Sequence, residues 1–184
     1  RYHEPKPGRA SVVGRLRGSR AGRSLMLNAH ADTVDVGGMD APFSGELRDG
    51  RIYGRGTEDN QQEMAASCFA VKALLDLGLK PETDVILMLV ADEENGSDYG
   101  VGWLLEHHDL CRPEDFVVVP DAGNEAGTLL EVAEKSIAWV KFTTLGRQAH
   151  GSTPHHGNNA HRAGARLLLR LDERLHERYN AEDG

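Results

Sequence analysis

The chain has two cysteines, 5% aromatic residues and no apolar run near the roughly 18 residues of a membrane helix. Cys68 falls in a helical pattern and Cys111 in a loop, a spacing that supplies neither a disulfide framework nor a zinc knuckle. A reducing cytoplasm is therefore the expected compartment. The first residues, Arg1-Tyr2-His3-Glu4-Pro5-Lys6-Pro7, lack the basic-then-apolar layout of a signal peptide. Basic residues are outnumbered, giving a formal charge of -8, and the acids are spread throughout, which excludes the basic patch of a nucleic-acid footprint. Neither nucleic acid nor membrane is an expected partner.

At 184 residues there is room for one sizeable core, or for one domain and part of another. The sequence does not open with Met and closes on Asn180-Ala181-Glu182-Asp183-Gly184 after a helical pattern, so a fragment is expected. Ser11 to Arg17 and Ser24 to Ala29 read as strands, and Asp49-Gly50 marks a two-residue hairpin turn between Glu46-Leu47-Arg48 and Arg51-Ile52-Tyr53. Met64, Cys68, Val71 and Leu75 recur at helical spacing over Gln61 to Leu77, with Gly78 as the stop. A strand over Asp84 to Ala91, a short helix over Tyr99 to His107 and a strand over Phe116 to Pro120 follow. This alternation predicts an α/β domain, a mostly parallel sheet flanked by helices. From Ser136 to Thr144 a long strand is expected, then a histidine-bearing loop over Gly146 to Gly157 and an amphipathic helix over Asn159 to Tyr179. The domain boundary is placed near Lys135, giving units 1–134 and 135–184.

The informative pattern lies at the strand ends. Val85-Ile86-Leu87-Met88-Leu89-Val90 runs into Asp92-Glu93-Glu94, Ser24 to Ala29 into His30-Ala31-Asp32, Phe116 to Pro120 into Asp121, and the hairpin into Gly54-Arg55-Gly56-Thr57-Glu58-Asp59. Sites in open α/β sheets form beyond the carboxyl ends of the strands. Taken singly, His30 and Asp32 could be a surface pair, Asp59 an N-cap, Glu93 and Glu94 a solvated loop, and Asp121 a turn cap. Jointly those readings would all have to hold at one sheet edge. Like charges about 4 Å apart repel by roughly 4 kcal/mol at an effective dielectric near 20, so convergence calls for a cation. Two divalent ions would nearly balance Asp32, Asp59, Glu93, Glu94 and Asp121. A histidine among carboxylates suits zinc, cobalt or manganese.

These ordered motifs, with Pro120-Asp121-Ala122-Gly123 and Gly146 through His150 to Pro154 followed by Asn159-Ala160, resemble one family over about Arg15 to Arg174. It is the dizinc amidohydrolases and peptidases that include acetylornithine deacetylase, succinyl-diaminopimelate desuccinylase, aminoacylase and glutamate carboxypeptidase. The resemblance implies hydrolysis of amide bonds in N-acyl amino acids or small peptides, with water activated between two divalent metals, zinc first. It makes Asp59 the bridging ligand, ahead of a cis Asp59-Asn60 peptide. His30 and Asp121 complete one metal site and Glu94 serves the other. Glu93 becomes the general base and Asp32 the residue that orients His30. Residues from Lys135 on become the opening of an α+β lid, the homodimerisation domain, whose His150 stabilises the oxyanion in the partner subunit's site. His155, His156 and His161 match no ligand and are expected at the surface.

Two departures stand out. The family has Lys-Gly soon after the bridging aspartate where this chain has Asn60-Gln61-Gln62, and its terminal histidine for the second metal lies downstream of the residues present. The alternative from another class is a non-catalytic metal-binding or dimerisation homologue that keeps the fold.

Overall fold

In the computed structural model, residues 1–124, 126–134 and 137–180 are described. The chain divides into two compact units, Arg1–Val132 and Ala133–Gly184. Lys135, where the boundary is expected, lies outside the described residues.

The first unit is built on a mixed five-stranded sheet. Its strands are β1 (Tyr2–Lys6), β2 (Arg9–Leu16), β3 (Leu25–His30), β6 (Val85–Val90) and β7 (Phe116–Val118), in the order β1-β2-β6-β3-β7. A separate hairpin joins β4 (Glu46–Arg48) to β5 (Arg51–Tyr53). Its turn residues Asp49 and Gly50 have φ of 52° and 76°, the double left-handed conformation of a type I′ turn. The centre of the sheet is parallel, β3 pairing with β6 on one side and β7 on the other, whereas β1 and β2 run antiparallel.

β1 was not expected. Pro5 argues against a ladder position, but an edge strand tolerates proline, and the β1–β2 register shifts between His3 and Lys6 to accommodate it.

Period-two alternation decides the core. Met26, Ile86, Met88 and Val90 share one sheet face and pack with Val13 and with Leu104 of helix α2 (Val101–His107). Burying each such side chain contributes about 1.5–3 kcal/mol. Helix α1 (Glu63–Asp76) packs against β3 and β6 and stops at Gly78, whose φ is 63°. Gly100 precedes α2 because a Cβ there would lie 1.8 Å from the Ala91 carbonyl oxygen. That close approach seats the helix against the end of β6.

Asp115 ties β7 to β3. Its carboxylate, 1% exposed, accepts the amides of Ser24 at 2.6 Å and Arg112 at 2.9 Å and pairs with the Arg112 guanidinium at 3.1 Å. Burial alone would raise its pKa, but the two amides and the guanidinium outweigh it and hold the carboxyl below the usual range. A folded-state pKa below the unfolded one gives stability that is full above the unfolded value and lost as pH falls through the folded value. Asp115→Asn is accordingly expected to lower the urea midpoint at neutral pH, with the gap to the unaltered protein closing as the acid range is entered.

In the second unit, helix α3 (Ala160–Leu175) is capped by Asn159, whose side-chain oxygen accepts the Arg162 amide at 3.0 Å. Arg147 and Asn158 exchange backbone hydrogen bonds of 2.9 and 2.8 Å across the loop. The strand expected over Ser136 to Thr144 is corrected: residues 137–144 form none, and Ser136 lies outside the described residues. A strand needs a ladder partner, and among the described residues of this unit only the single Arg147–Asn158 bridge forms. Its apolar side chains stay open, Trp139 being 94% exposed.

Candidate metal centre

Because β3, β6 and β7 are parallel, their carboxyl ends share one edge, with His30 in register with Val90. His30 is the last residue of β3 and is buried. Its backbone amide, ring Nδ1 and ring Nε2 each have partners of their own.

The Nδ1 side is held locally. It lies 2.9 Å from the Asp32 carbonyl oxygen and 3.6 Å from the Asp32 carboxylate. Asp32 therefore orients the ring through its backbone, while its two carboxylate oxygens accept the amides of Glu93 and Glu94, each at 3.1 Å. One aspartate thus couples the end of β3 to the turn after β6.

The Nε2 side faces carboxylates: Asp59 at 3.0 Å, Asp121 at 3.7 Å and Glu93 at 3.9 Å. Two groups have ligand atoms mutually within 4.8 Å, His30 with Asp59 and Asp121, and His30 with Glu93 and Glu94. Asp59 is delivered by a turn over Thr57–Gln62 that leaves helical geometry at Asp59 and Asn60, and the Asp59-Asn60 peptide is cis. It does not cap α1, whose N-cap is Gln62. Gly56, just before the turn, has φ of 83°, and a Cβ there would stand 2.7 Å from the Thr33 methyl.

Glu93 and Glu94 sit on a short helical turn, Glu93–Asn95, and Glu94 also accepts the Val34 amide at 3.1 Å. Asp92 parts from them. With φ of 68° its side chain is buried, pairing with Arg9 at 3.3 Å and accepting the Tyr99 amide at 3.0 Å, so it adds no charge to the cluster.

Burial lowers the His30 pKa, but the Asp32 carbonyl and the charges of Asp121, Glu93 and Asp32 outweigh it and leave the ring more basic than usual. Burial pushes the Glu93 carboxyl up; positive charge on His30 opposes the rise, and Glu94, Asp121 and Asp32 add to it. The rise at His30, and the lesser part of the rise at Glu93 that does not come from burial, reflect neighbouring negative charge that a cation would relieve. A cavity of about 570 Å³ adjoins the cluster, lined by Glu58, Asp59, Gln62, Glu63, Asp121 and Asn124.

His150 belongs to the second unit, where it is exposed, its Nδ1 lying 2.8 Å from Ser152 Oγ. His155, His156 and His161 are exposed.

The residue that sequence reasoning misses is Asn60. Fully buried, it accepts the His30 amide at 3.1 Å and donates to Asp121 Oδ1 at 2.7 Å. In the sequence it opens the polar run Asn60-Gln61-Gln62, which carries no mark that separates it from a solvated turn.

An imidazole fixed through Nδ1, with Nε2 open toward several carboxylates at the carboxyl edge of an α/β sheet, is a donor set suited to a divalent metal. The chain belongs to the peptidase family M20/M25/M40, whose model matches residues 26–172. It is 35% identical over 164 residues to an uncharacterized metallohydrolase of Methanocaldococcus jannaschii, covering 86% of this chain and 40% of that protein. A succinyl-diaminopimelate desuccinylase of Ruegeria sp. is 32% identical over 81% of this chain and 41% of its own length. The chain thus spans about two fifths of the curated relatives it matches. The crystal structure of human carnosine dipeptidase 1 aligns with a TM-score of 0.55 at 20% identity, over 67% of this chain and 29% of that one, a likeness of fold.

Proposed function

We propose that this chain supplies the metal-binding part of an amide hydrolase that acts on N-acyl amino acids or small peptides. The observation that carries the reading is the divided environment of His30: Nδ1 against the Asp32 carbonyl, Nε2 within 3.0–3.9 Å of the carboxylates of Asp59, Asp121 and Glu93. The donors His30, Asp59 and Asp121 form one set that fits divalent zinc, cobalt or manganese; the family resemblance puts zinc first and makes Glu94 part of a second set that shares Asp59. Bound there, such ions supply Lewis-acid polarisation of the scissile carbonyl and of a water.

The remaining steps belong to the chain itself. Glu93 accepts a proton from the attacking water at its carboxylate and returns it to the leaving amine. Asp32 holds the Glu93 backbone amide and so anchors the main chain that carries the base at this edge. The cavity beside Asp59 and Asp121 receives the substrate. In the same reading His150 serves the oxyanion of a partner subunit's site, Ser152 setting its ring, and the second unit opens a dimerising lid. Trp139, Leu145 and Leu168 of this unit are exposed, apolar surface of the kind a lid or dimer contact would cover. Two free cysteines, and no helix among the described residues long and apolar enough to cross a membrane, are compatible with work in the cytoplasm.

The test uses the full-length protein against N-acetyl and N-succinyl amino acids and dipeptides. Turnover of one class is expected, lost on chelation and restored by zinc or cobalt. Turnover untouched by chelation would overturn the reading, and bound metal without turnover of any substrate would establish the non-catalytic alternative.

A further inference from the structure

We propose that Asn60 is a positioning residue that selects which oxygen of Asp121 faces the metal centre; this rests on the reading of the cluster as a metal site. Asn60 has no exposed surface, so each polar atom of its carboxamide must find a partner inside the protein. The oxygen takes the His30 backbone amide at 3.1 Å; the nitrogen gives one hydrogen to Asp121 Oδ1 at 2.7 Å and approaches the Pro120 carbonyl at 3.5 Å.

The partners remove any ambiguity in the amide's orientation. One is a donor and the others are acceptors, so a flipped carboxamide would set oxygen against carboxylate and N–H against N–H. The side chain therefore works as a clamp between the end of β3 and the loop after β7. With Oδ1 of Asp121 held, Oδ2 is the oxygen left to face His30, 3.7 Å from Nε2. Asp121 is offered to a cation through one oxygen, at a distance from His30 that Asn60 sets.

No other side chain of similar size does both jobs. Alanine has neither group, and serine is too short to span His30 and Asp121 together. Aspartate keeps the acceptor for the His30 amide but turns a carboxylate toward Asp121, which repels it. Sequence alone reads this position as the partner of Asp59 in a cis peptide and as the start of a departure from the family's pattern, with no role for its side chain.

Asn60→Ala in the full-length protein is expected to weaken zinc binding by about 10–100-fold, as loss of a ligand's supporting hydrogen bond typically does, and to change the visible absorption of the cobalt-substituted protein. Zinc titration and the cobalt spectrum are read beside the thermal midpoint of the metal-free protein. A purely structural role would lower that midpoint and leave the spectrum unchanged. Should Asn60→Ala fail to fold, Asn60→Ser carries the same expectation with a smaller void. Unaltered zinc affinity and cobalt spectrum in the folded variant overturn the proposal. A wild-type protein that binds neither zinc nor cobalt overturns it together with the metal-site reading, whereas tight zinc binding without turnover sinks only the assigned activity.

Discussion

Glu93→Gln in the full-length protein is expected to lower kcat by about 10²- to 10⁴-fold, the usual contribution of a positioned general base, while metal content stays at the wild-type level. The carboxylate stands 3.9 Å from His30 Nε2, at the rim of the cluster, and its backbone amide is fixed by Asp32. Glutamine keeps the size and the backbone contact but cannot take a proton from water. Measuring kcat beside metal stoichiometry separates proton transfer from ligation. Hydrolysis within a few fold of wild type would remove Glu93 from the mechanism, and a variant that lost its metal would reassign Glu93 as a ligand.

Asp59→Ala is expected to abolish tight metal binding, and turnover with it. Asp59 makes the shortest approach to His30 Nε2, 3.0 Å, and the family resemblance makes it the ligand shared by both metals. Its side chain is 59% exposed and faces other carboxylates, so the metal-free fold does not depend on it. The variant should therefore melt close to metal-free wild type, which distinguishes loss of ligand from loss of fold. Full metal content in the variant would show that Asp59 is not the shared ligand.

Elements with a strong local pattern are legible in the sequence. The apolar run of β6, the type I′ turn at Asp49-Gly50, and α1 with its stop at Gly78 all appear where spacing and turn chemistry place them. β1 is not legible, because proline in an edge strand looks like proline in a loop. The strand expected through Trp139 fails for a related reason: β propensity describes a surface that fits a sheet and supplies no sheet to join.

The site shows the same division. Acid or histidine after β3, β6 and β7 is a local feature, and parallel pairing gathers those ends by rule, whereas Asp59 arrives on the turn before α1, outside that sheet. Which of Asp92, Glu93 and Glu94 turns inward is not local. It follows from the left-handed backbone at Asp92 and from Arg9 and the Tyr99 amide, which engage that carboxylate in a buried position.

The sequence by itself thus determines the alternation that builds the sheet, and the edge at which His30, Glu93, Glu94 and Asp121 emerge. Tertiary structure alone decides what each of their atoms faces. Asn60 meets His30 across 30 residues and Asp121 across 61. Contacts of that range are set only when β3, the turn before α1 and the loop after β7 pack together, because directional hydrogen bonds among buried groups follow the relative placement of segments that no local pattern encodes.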